Sequence, residues 1–246
     1  MNIIKLNAID STSLFLKDLA KKSILENFTV VVADEQFSGK GQMNSVWHSE
    51  KNKNILCTVY VDLSGLPVHL IPYINFISAV KIRDVIESAL DKEHKIKVKW
   101  PNDIMSYNDK VCGLLIENTI KNQEVLSCFI GIGLNVNQLV FPDHLLKASS
   151  LAKIEGAILD KDLILIKIVD ALKRVMTVDY IMDNLTMIKQ EYLSHLYKMN
   201  TPSMFVSHDE NVFMGKIVGV NNRGLLLIEK EDEVVHHFAV KEVKFI

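Results

Sequence analysis

The sequence predicts an α+β protein: a mixed, mostly antiparallel sheet packed with helices, followed by a small all-β unit. Two patterns carry that expectation. A helical stripe, several adjacent short apolar runs and further helical stripes fill the chain up to about residue 197, which is how a sheet layered with helices reads. After Asn200 the texture changes to short strands at regular intervals. With 246 residues, 48% hydrophobic and 24% charged, the chain can bury one core or a large and a small one. The expected division is residues 1–197 and 198–246.

Asp10-Ser11-Thr12 offers N-cap side chains just before Leu14, Phe15, Leu16, Leu19 and Ala20, so a helix should begin near Thr12. Phe28–Ala33 and Asn54–Leu63 read as strands, joined by a polar, glycine-containing loop from Gln36 to Asn52. At about 17 residues, such a loop is usually functional or disordered. Leu63–Val80 holds no charged residue and is long enough to imitate a membrane span. Pro67, His69, Pro72 and Asn75 interrupt it, and Pro72 suits the first turn of a helix over about 72–91. Three apolar runs follow, at Lys95–Lys99, Val111–Asn118 and Val125–Leu134. The spacing of Leu163, Ile164, Ile168, Val169, Leu172, Val175 and Met176 predicts one long amphipathic helix from Asp160 to about Met182. A second helix should run through Leu185, Ile188, Tyr192 and Leu196. The closing strands are Met204–Val206, Val212–Val220, Leu225–Glu229, Val234–Val240 and Val243–Ile246, enough for a small barrel. Asn221-Asn222-Arg223-Gly224 reads as a hairpin turn between two of them.

Composition excludes several classes. A formal charge of -2 argues against a broad cationic face that would hold nucleic acid by counterion release. The three cysteines, Cys57, Cys112 and Cys128, form no CxxC pair and no even set, which points to a reducing compartment without structural zinc. Met1–Asn7 lacks a secretory signal, so a cytoplasmic protein is expected.

Chemistry concentrates in three places. In the long loop, Gly39-Lys40-Gly41-Gln42 pairs glycines that permit close backbone approach with a fixed cation, which serves either a plain turn or an anion site. Trp47 beyond it is either a rim aromatic or a flat wall for a ring. Lys99-Trp100-Pro101-Asn102-Asp103 is turn chemistry at a strand end, with Asp109-Lys110 and Gly113 downstream. Gly131-Ile132-Gly133-Leu134-Asn135 sets two glycines in an apolar strand, where a bulge or a bound group must compensate for the lost packing.

Together these segments resemble the biotin protein ligases, also called biotin–acetyl-CoA-carboxylase ligases. Gly39–Gln42 matches the family's GRGR-type loop, Lys99–Asp103 its KWPND segment letter for letter, Lys110–Gly113 its K-x-x-G strand and Gly131–Asn135 its GxGxN strand. The resemblance extends from Asp10 to Ile246. It implies a biotin–lipoate ligase catalytic core of class II synthetase type with a carboxyl-terminal SH3-like barrel. It further implies ATP and biotin as substrates with Mg²⁺, and a two-step reaction through biotinyl-5′-AMP onto a lysine of a biotin carboxyl carrier protein. By transfer, Lys110, Lys99 and Asp103 are catalytic; Ser11, Thr12, Gln36, Gly39, Lys40, Gly41 and Gly113 bind biotin; Gln42, Trp47, Asn102 and Asn135 face the nucleotide. The type implied is monofunctional, lacking the amino-terminal DNA-binding domain of some members, with no nucleic-acid or membrane partner; homodimers occur in the family. A lipoate ligase and a non-catalytic biotin-binding module are the alternatives. Three positions depart from the pattern: Gln42 stands for an arginine, Asn44 for a glycine, and Cys112 for a small residue.

Overall fold

The computed structural model describes residues 2–42, 45–91 and 94–246; Asn44 lies outside them. A seven-stranded sheet is built from β1 (Ile3–Leu6), β2 (Val30–Ala33), β3 (Ile55–Pro67), β4 (Ile96–Lys99), β5 (Asp103–Ser106), β6 (Asp109–Lys121) and β7 (Glu124–Leu134), in the order β1-β2-β3-β7-β6-β5-β4. Only β1 and β2 pair in parallel; every other neighbouring pair is antiparallel.

The sheet's two faces differ. Cys57, Ile132 and Leu114 lie in one cross-strand row and are buried, and side chains of this parity meet α2 (Ile71–Ser88), α4 (Lys161–Val175) and α6 (Leu185–Ser194) in the main core. The opposite parity carries Tyr60 and Phe129, whose rings meet edge to face at 5.6 Å, and α1 (Thr12–Lys22) packs Leu16 there beside Val31. Thr58, Gly131 and Leu115 form the next row on this second face, and Leu56, Gly133, Gly113 and Asp103 the row after.

The charge-free segment divides between the end of β3 and α2, which carries its proline in the first turn. Among the described residues no helix is long and apolar enough to cross a membrane. The expected single helix over 160–182 is two: α4 closes at Val175, where the cap Met176 leaves helical geometry, and Thr177 caps α5 (Val178–Asp183) through its side chain. Apolar periodicity runs across that break because both pieces bury the same side. The expectation of three central strands missed β5, a short hairpin partner of β4, as well as the edge strand β1 and the helix α3 (Leu151–Glu155).

After α6 the chain adds Leu196 beside Val98 on the free side of β4. Lys198 and Asn200, both in the left-handed region (φ 56° and 57°), then turn it into a second sheet. This sheet is antiparallel, with β8 (Pro202–Ser207), β9 (Val212–Val220), β10 (Leu226–Lys230), β11 (Val235–Phe238) and β12 (Val243–Phe245) in the order β11-β10-β9-β8-β12. The expected turn at Asn221–Gly224 joins β9 to β10, with the Asn221 side chain accepting from the backbone of Arg223 and Leu225. The Trp100 indole donates to Gly224 O at 2.9 Å, fastening that turn to the large sheet.

Candidate active site

A cavity of about 530 Å³ opens over the glycine rows of the large sheet, closed on its far side by the small one. Gly113 and Gly133 are direct partners across β6 and β7, in regular register without a bulge. Their missing side chains make a notch, and the Trp47 indole fills it. A Cβ on Gly133 would lie 2.5 Å from Trp47 Cε2, and one on Gly113 2.9 Å from Trp47 Cζ3. Trp47 reaches the notch because the glycine-rich loop folds back as a tight hairpin: its N–H donates to Gly39 O at 2.9 Å, and Gly41 N–H to Ser45 O at 2.7 Å. Among the described residues the buried indole N–H has no acceptor. The ring can therefore leave the notch without losing a hydrogen bond.

One end of the cavity is neutral and hydrogen-bonding. Gln36 Oε1 accepts from Thr12 N–H (2.8 Å) and from the Thr12 hydroxyl (3.1 Å), which also lies 2.9 Å from the Thr58 hydroxyl. Ser11 opens α1 without capping it, so its hydroxyl remains available to the cavity it lines. Ser13, also on the cavity wall, donates to Glu117, and Lys17 pairs with that carboxylate. Burial works against that carboxylate, but the Lys17 and Ser13 hydrogen bonds, with the charges of Lys17 and Lys40, hold it below its usual range.

The other end is cationic. The hairpin β4–β5 turns through Trp100–Asn102, whose Trp100–Pro101 peptide is cis, and presents Lys99 and Asp103 side by side. Lys110 Nζ pairs with Asp103 at 2.7 Å and lies 5.3 Å from the centre of the Trp47 ring. Burial lowers the Lys99 ammonium below its ordinary 10.5; Asp103 opposes this, and the charges of Lys110, Lys147 and Lys198 add to it. Asn102 donates to Leu114 O and accepts from Leu114 N–H, locking the turn against β6.

The structure brings Lys110, Lys99, Asp103, Ser11, Thr12, Gln36, Lys40, Gly41, Gly113, Gln42, Trp47 and Asn102 to this one cavity. Gly39 and Asn135 do not line it. Gly39 is part of the hairpin's base, where its carbonyl accepts from Trp47 N–H, and Asn135 turns inward, donating to Ser149 O at 3.0 Å. Ser149 N–H in turn reaches Lys110 O, so Asn135 braces the strand that carries Lys110. Sequence reasoning missed Thr58, legible only as a hydroxyl in an apolar strand, and Leu115 one row over. It also missed Phe205, Val243, Lys244 and Phe245, which no motif marks. Burial pushes the Cys57 and Cys112 thiols up, Cys57 to about 12, so neither is a thiolate near neutral pH.

Residues 6–135 match the family described as the Biotin/lipoate A/B protein ligase family. The bifunctional ligase/repressor BirA of Bacillus spizizenii is 32% identical over 236 residues, covering 95% of this chain and 71% of that protein. A biotin–[acetyl-CoA-carboxylase] ligase of Paracoccus denitrificans is 28% identical over 106 residues, 43% of each chain. Among solved structures, the biotin protein ligase of Aquifex aeolicus in complex with biotin and ATP superposes with a TM-score of 0.77 at 22% identity, covering 100% of this chain and 99% of that one.

Proposed function

This chain belongs to the Biotin/lipoate A/B protein ligase family, and from that premise we propose that it activates biotin with ATP and transfers it to a protein lysine. The observation that carries this is one cavity holding a neutral, hydrogen-bonding end and a lysine-rich end on either side of a glycine notch. A ureido ring suits hydroxyl and amide partners, whereas a carboxylate meeting a triphosphate needs cations and little water.

In the first step a biotin carboxylate oxygen bonds to the α-phosphorus of ATP, and the bond to the pyrophosphate oxygen breaks, giving biotinyl-5′-AMP. In the second a lysine amine attacks the acyl carbon of that anhydride and AMP leaves. Ser11, Thr12, Gln36 and Thr58 hold the biotin head; Lys40 and Gly41 fold over it, with Gly39 anchoring their hairpin, and Gly113 admits its chain. Trp47 leaves the notch as ligand enters and becomes a wall for the base, with Gln42 and Asn102 on the same side. Lys110 neutralises carboxylate and phosphate. Asp103, paired with Lys110 at 2.7 Å, is placed to orient the incoming lysine amine. Asn135 is assigned a bracing role rather than a nucleotide contact.

Mg²⁺ takes oxygen ligands and keeps several from phosphate and water. Asp103 is the carboxylate of this cavity and is already paired; among the described residues no group of three metal-ligating side chains occurs. The ion would therefore arrive on the nucleotide's phosphates, neutralising them in concert with the lysines. The acceptor in this reading is a biotin carboxyl carrier domain, and the place of work is the cytoplasm, where three buried free cysteines stay reduced. The same reading treats residues 1–197 as the catalytic domain and 198–246 as a small barrel domain.

Biotin-dependent exchange of pyrophosphate into ATP tests the activity. Exchange with biotin and not with lipoate is the expected result. Exchange with lipoate alone would make this a lipoate ligase, and biotin binding without exchange would make it a binding module.

A further inference from the structure

The loop over the cavity stands on two arms with separate anchors. Its first arm runs along the entry to α1, where Phe37 N–H donates to Ile9 O and Ser38 N–H to Asp10 O, both at 3.0 Å. Its second arm, Ser45 to Glu50, carries Trp47 and is held by two buried amides: Asn54, which precedes β3, and Gln138, just past β7, are 2% and 4% exposed. Asn54 Nδ2 donates to Gln138 Oε1 (2.6 Å) and to the Ser49 hydroxyl (3.0 Å), and Glu50 N–H donates to the same Gln138 oxygen at 3.0 Å. Away from the arm, Asn54 Oδ1 accepts from Val136 N–H at 3.0 Å and Gln138 Nε2 donates to Val140 O at 2.8 Å. A buried amide pair engaged in this way favours one geometry, because a shift leaves polar atoms unpaired where water does not reach.

The pair ties the arm to a segment that also frames Lys110. From Gln138 the chain passes His144, whose ring meets that of His48, the neighbour of Trp47, edge to face at 5.1 Å. It then reaches Lys147, whose carbonyl accepts from Lys110 N–H at 2.7 Å, and Ser149, whose N–H donates to Lys110 O at 3.0 Å. One stretch of backbone thus touches both the arm bearing the indole and the residue bearing the ammonium that lies 5.3 Å from the centre of that ring.

Resting on the ligase reading above, we propose that Asn54 and Gln138 are positioning residues for the adenylation step: they fix the arm that sets Trp47 against the nucleotide base and keep it in register with Lys110. Neither of these two side chains lines the cavity; both act through the arm. An arm free to shift holds the base wall in place for only part of the time, and the apparent affinity for the nucleotide falls by that fraction. The neutral end of the cavity stands on the first arm and on Thr12 and Thr58, so it is insulated from the pair.

Gln138→Met keeps the length of the side chain and removes both of its hydrogen-bonding functions. In pyrophosphate-exchange kinetics it should raise the KM for ATP about tenfold, the scale of one or two hydrogen bonds, with the Kd for biotin within about twofold of wild type. In a Trp100→Phe background, which leaves Trp47 as the single tryptophan, acrylamide should quench the unliganded Gln138→Met protein more strongly than its parent, because the indole spends less time in the notch. Ser49→Ala, which cuts one of the two tethers at a partly exposed side chain, should move both readings in the same direction by less. Should Gln138→Met fail to fold, Ser49→Ala carries the test, and wild-type values in it overturn the proposal. A fall in Tm or in active protein with the KM for ATP and the quenching unchanged would reduce the pair to a structural support and overturn it too, as would an equal loss of biotin affinity. Quenching needs no biotin chemistry, so absence of biotin-dependent exchange in the wild type would sink the ligase reading alone, while the quenching comparison still tests the tether.

Discussion

At one end of the cavity Thr12, Gln36 and Thr58 satisfy one another through uncharged hydrogen bonds; at the other, Lys99, Lys110 and Asp103 hold a carboxylate and two ammoniums within reach of further lysines. Both ends stand on the same face of the same sheet, with Thr58 and Asp103 in neighbouring rows. The neutral end needs fixed directions, which mutual hydrogen bonds provide, and the cationic end needs field strength, which partial burial provides by weakening solvent screening. Changes at the two ends should therefore separate cleanly in their effects on biotin and on ATP.

The largest separation is expected from Lys110→Ala. Loss of an electrostatic transition-state contact worth roughly 3 kcal/mol should slow adenylate formation about a hundredfold. Biotin affinity and thermal stability should change little, since Lys110 and Asp103 are both partly exposed. Normal biotin-dependent pyrophosphate exchange in this variant would remove Lys110 from the chemistry.

Thr58→Val probes the opposite end with nearly the same shape. It removes the hydroxyl beside Thr12 and should weaken biotin binding by about three- to tenfold, the scale of one hydrogen bond, leaving the KM for ATP alone. An equal rise in both constants would show that the ends are not independent.

A pH titration sharpens the comparison further. Lys99 loses its proton below its ordinary 10.5 because burial disfavours the charged form. The KM for ATP should accordingly begin to rise on the alkaline side before a free lysine would titrate, with biotin affinity flat across the same range. The linked stability effect has the opposite sense. Between the folded and unfolded values the unfolded chain binds more protons, so stability increases with pH through that window. A KM for ATP that stays constant until the ordinary lysine range would place Lys99 outside the nucleotide's field.

The smallest effect is expected where the two sheets meet. Trp100→Phe removes the hydrogen bond to Gly224 O and should cost about 1 kcal/mol, a few degrees in Tm, with a modest rise in the KM for ATP and none for biotin. Calorimetry together with steady-state kinetics measures both, and an unchanged Tm would show that the docking does not depend on that bond.

Much of the large sheet is decided locally. The apolar run Val125–Leu134 reads as a strand, and a strand's period of two puts Gly131 and Gly133 on one face wherever it sits. Pro72 marks a helix start for reasons internal to a few residues, and α1 begins at Thr12 as expected although Ser11 makes no side-chain capping bond there. The residue types of the site were legible for the same reason, since glycines, a turn and lysines at strand ends are short-range patterns. Tertiary structure alone decided that Gly113 would stand opposite Gly133, that an indole from the distant hairpin would fill the space between them, and that Asn135 would face Ser149 rather than the cavity. It also decided that Phe245 and Lys244, at the far end of the chain, would complete the wall. Strand register and sheet docking follow from the sum of many weak packing contacts between segments remote in sequence, and no window of neighbouring residues contains that sum.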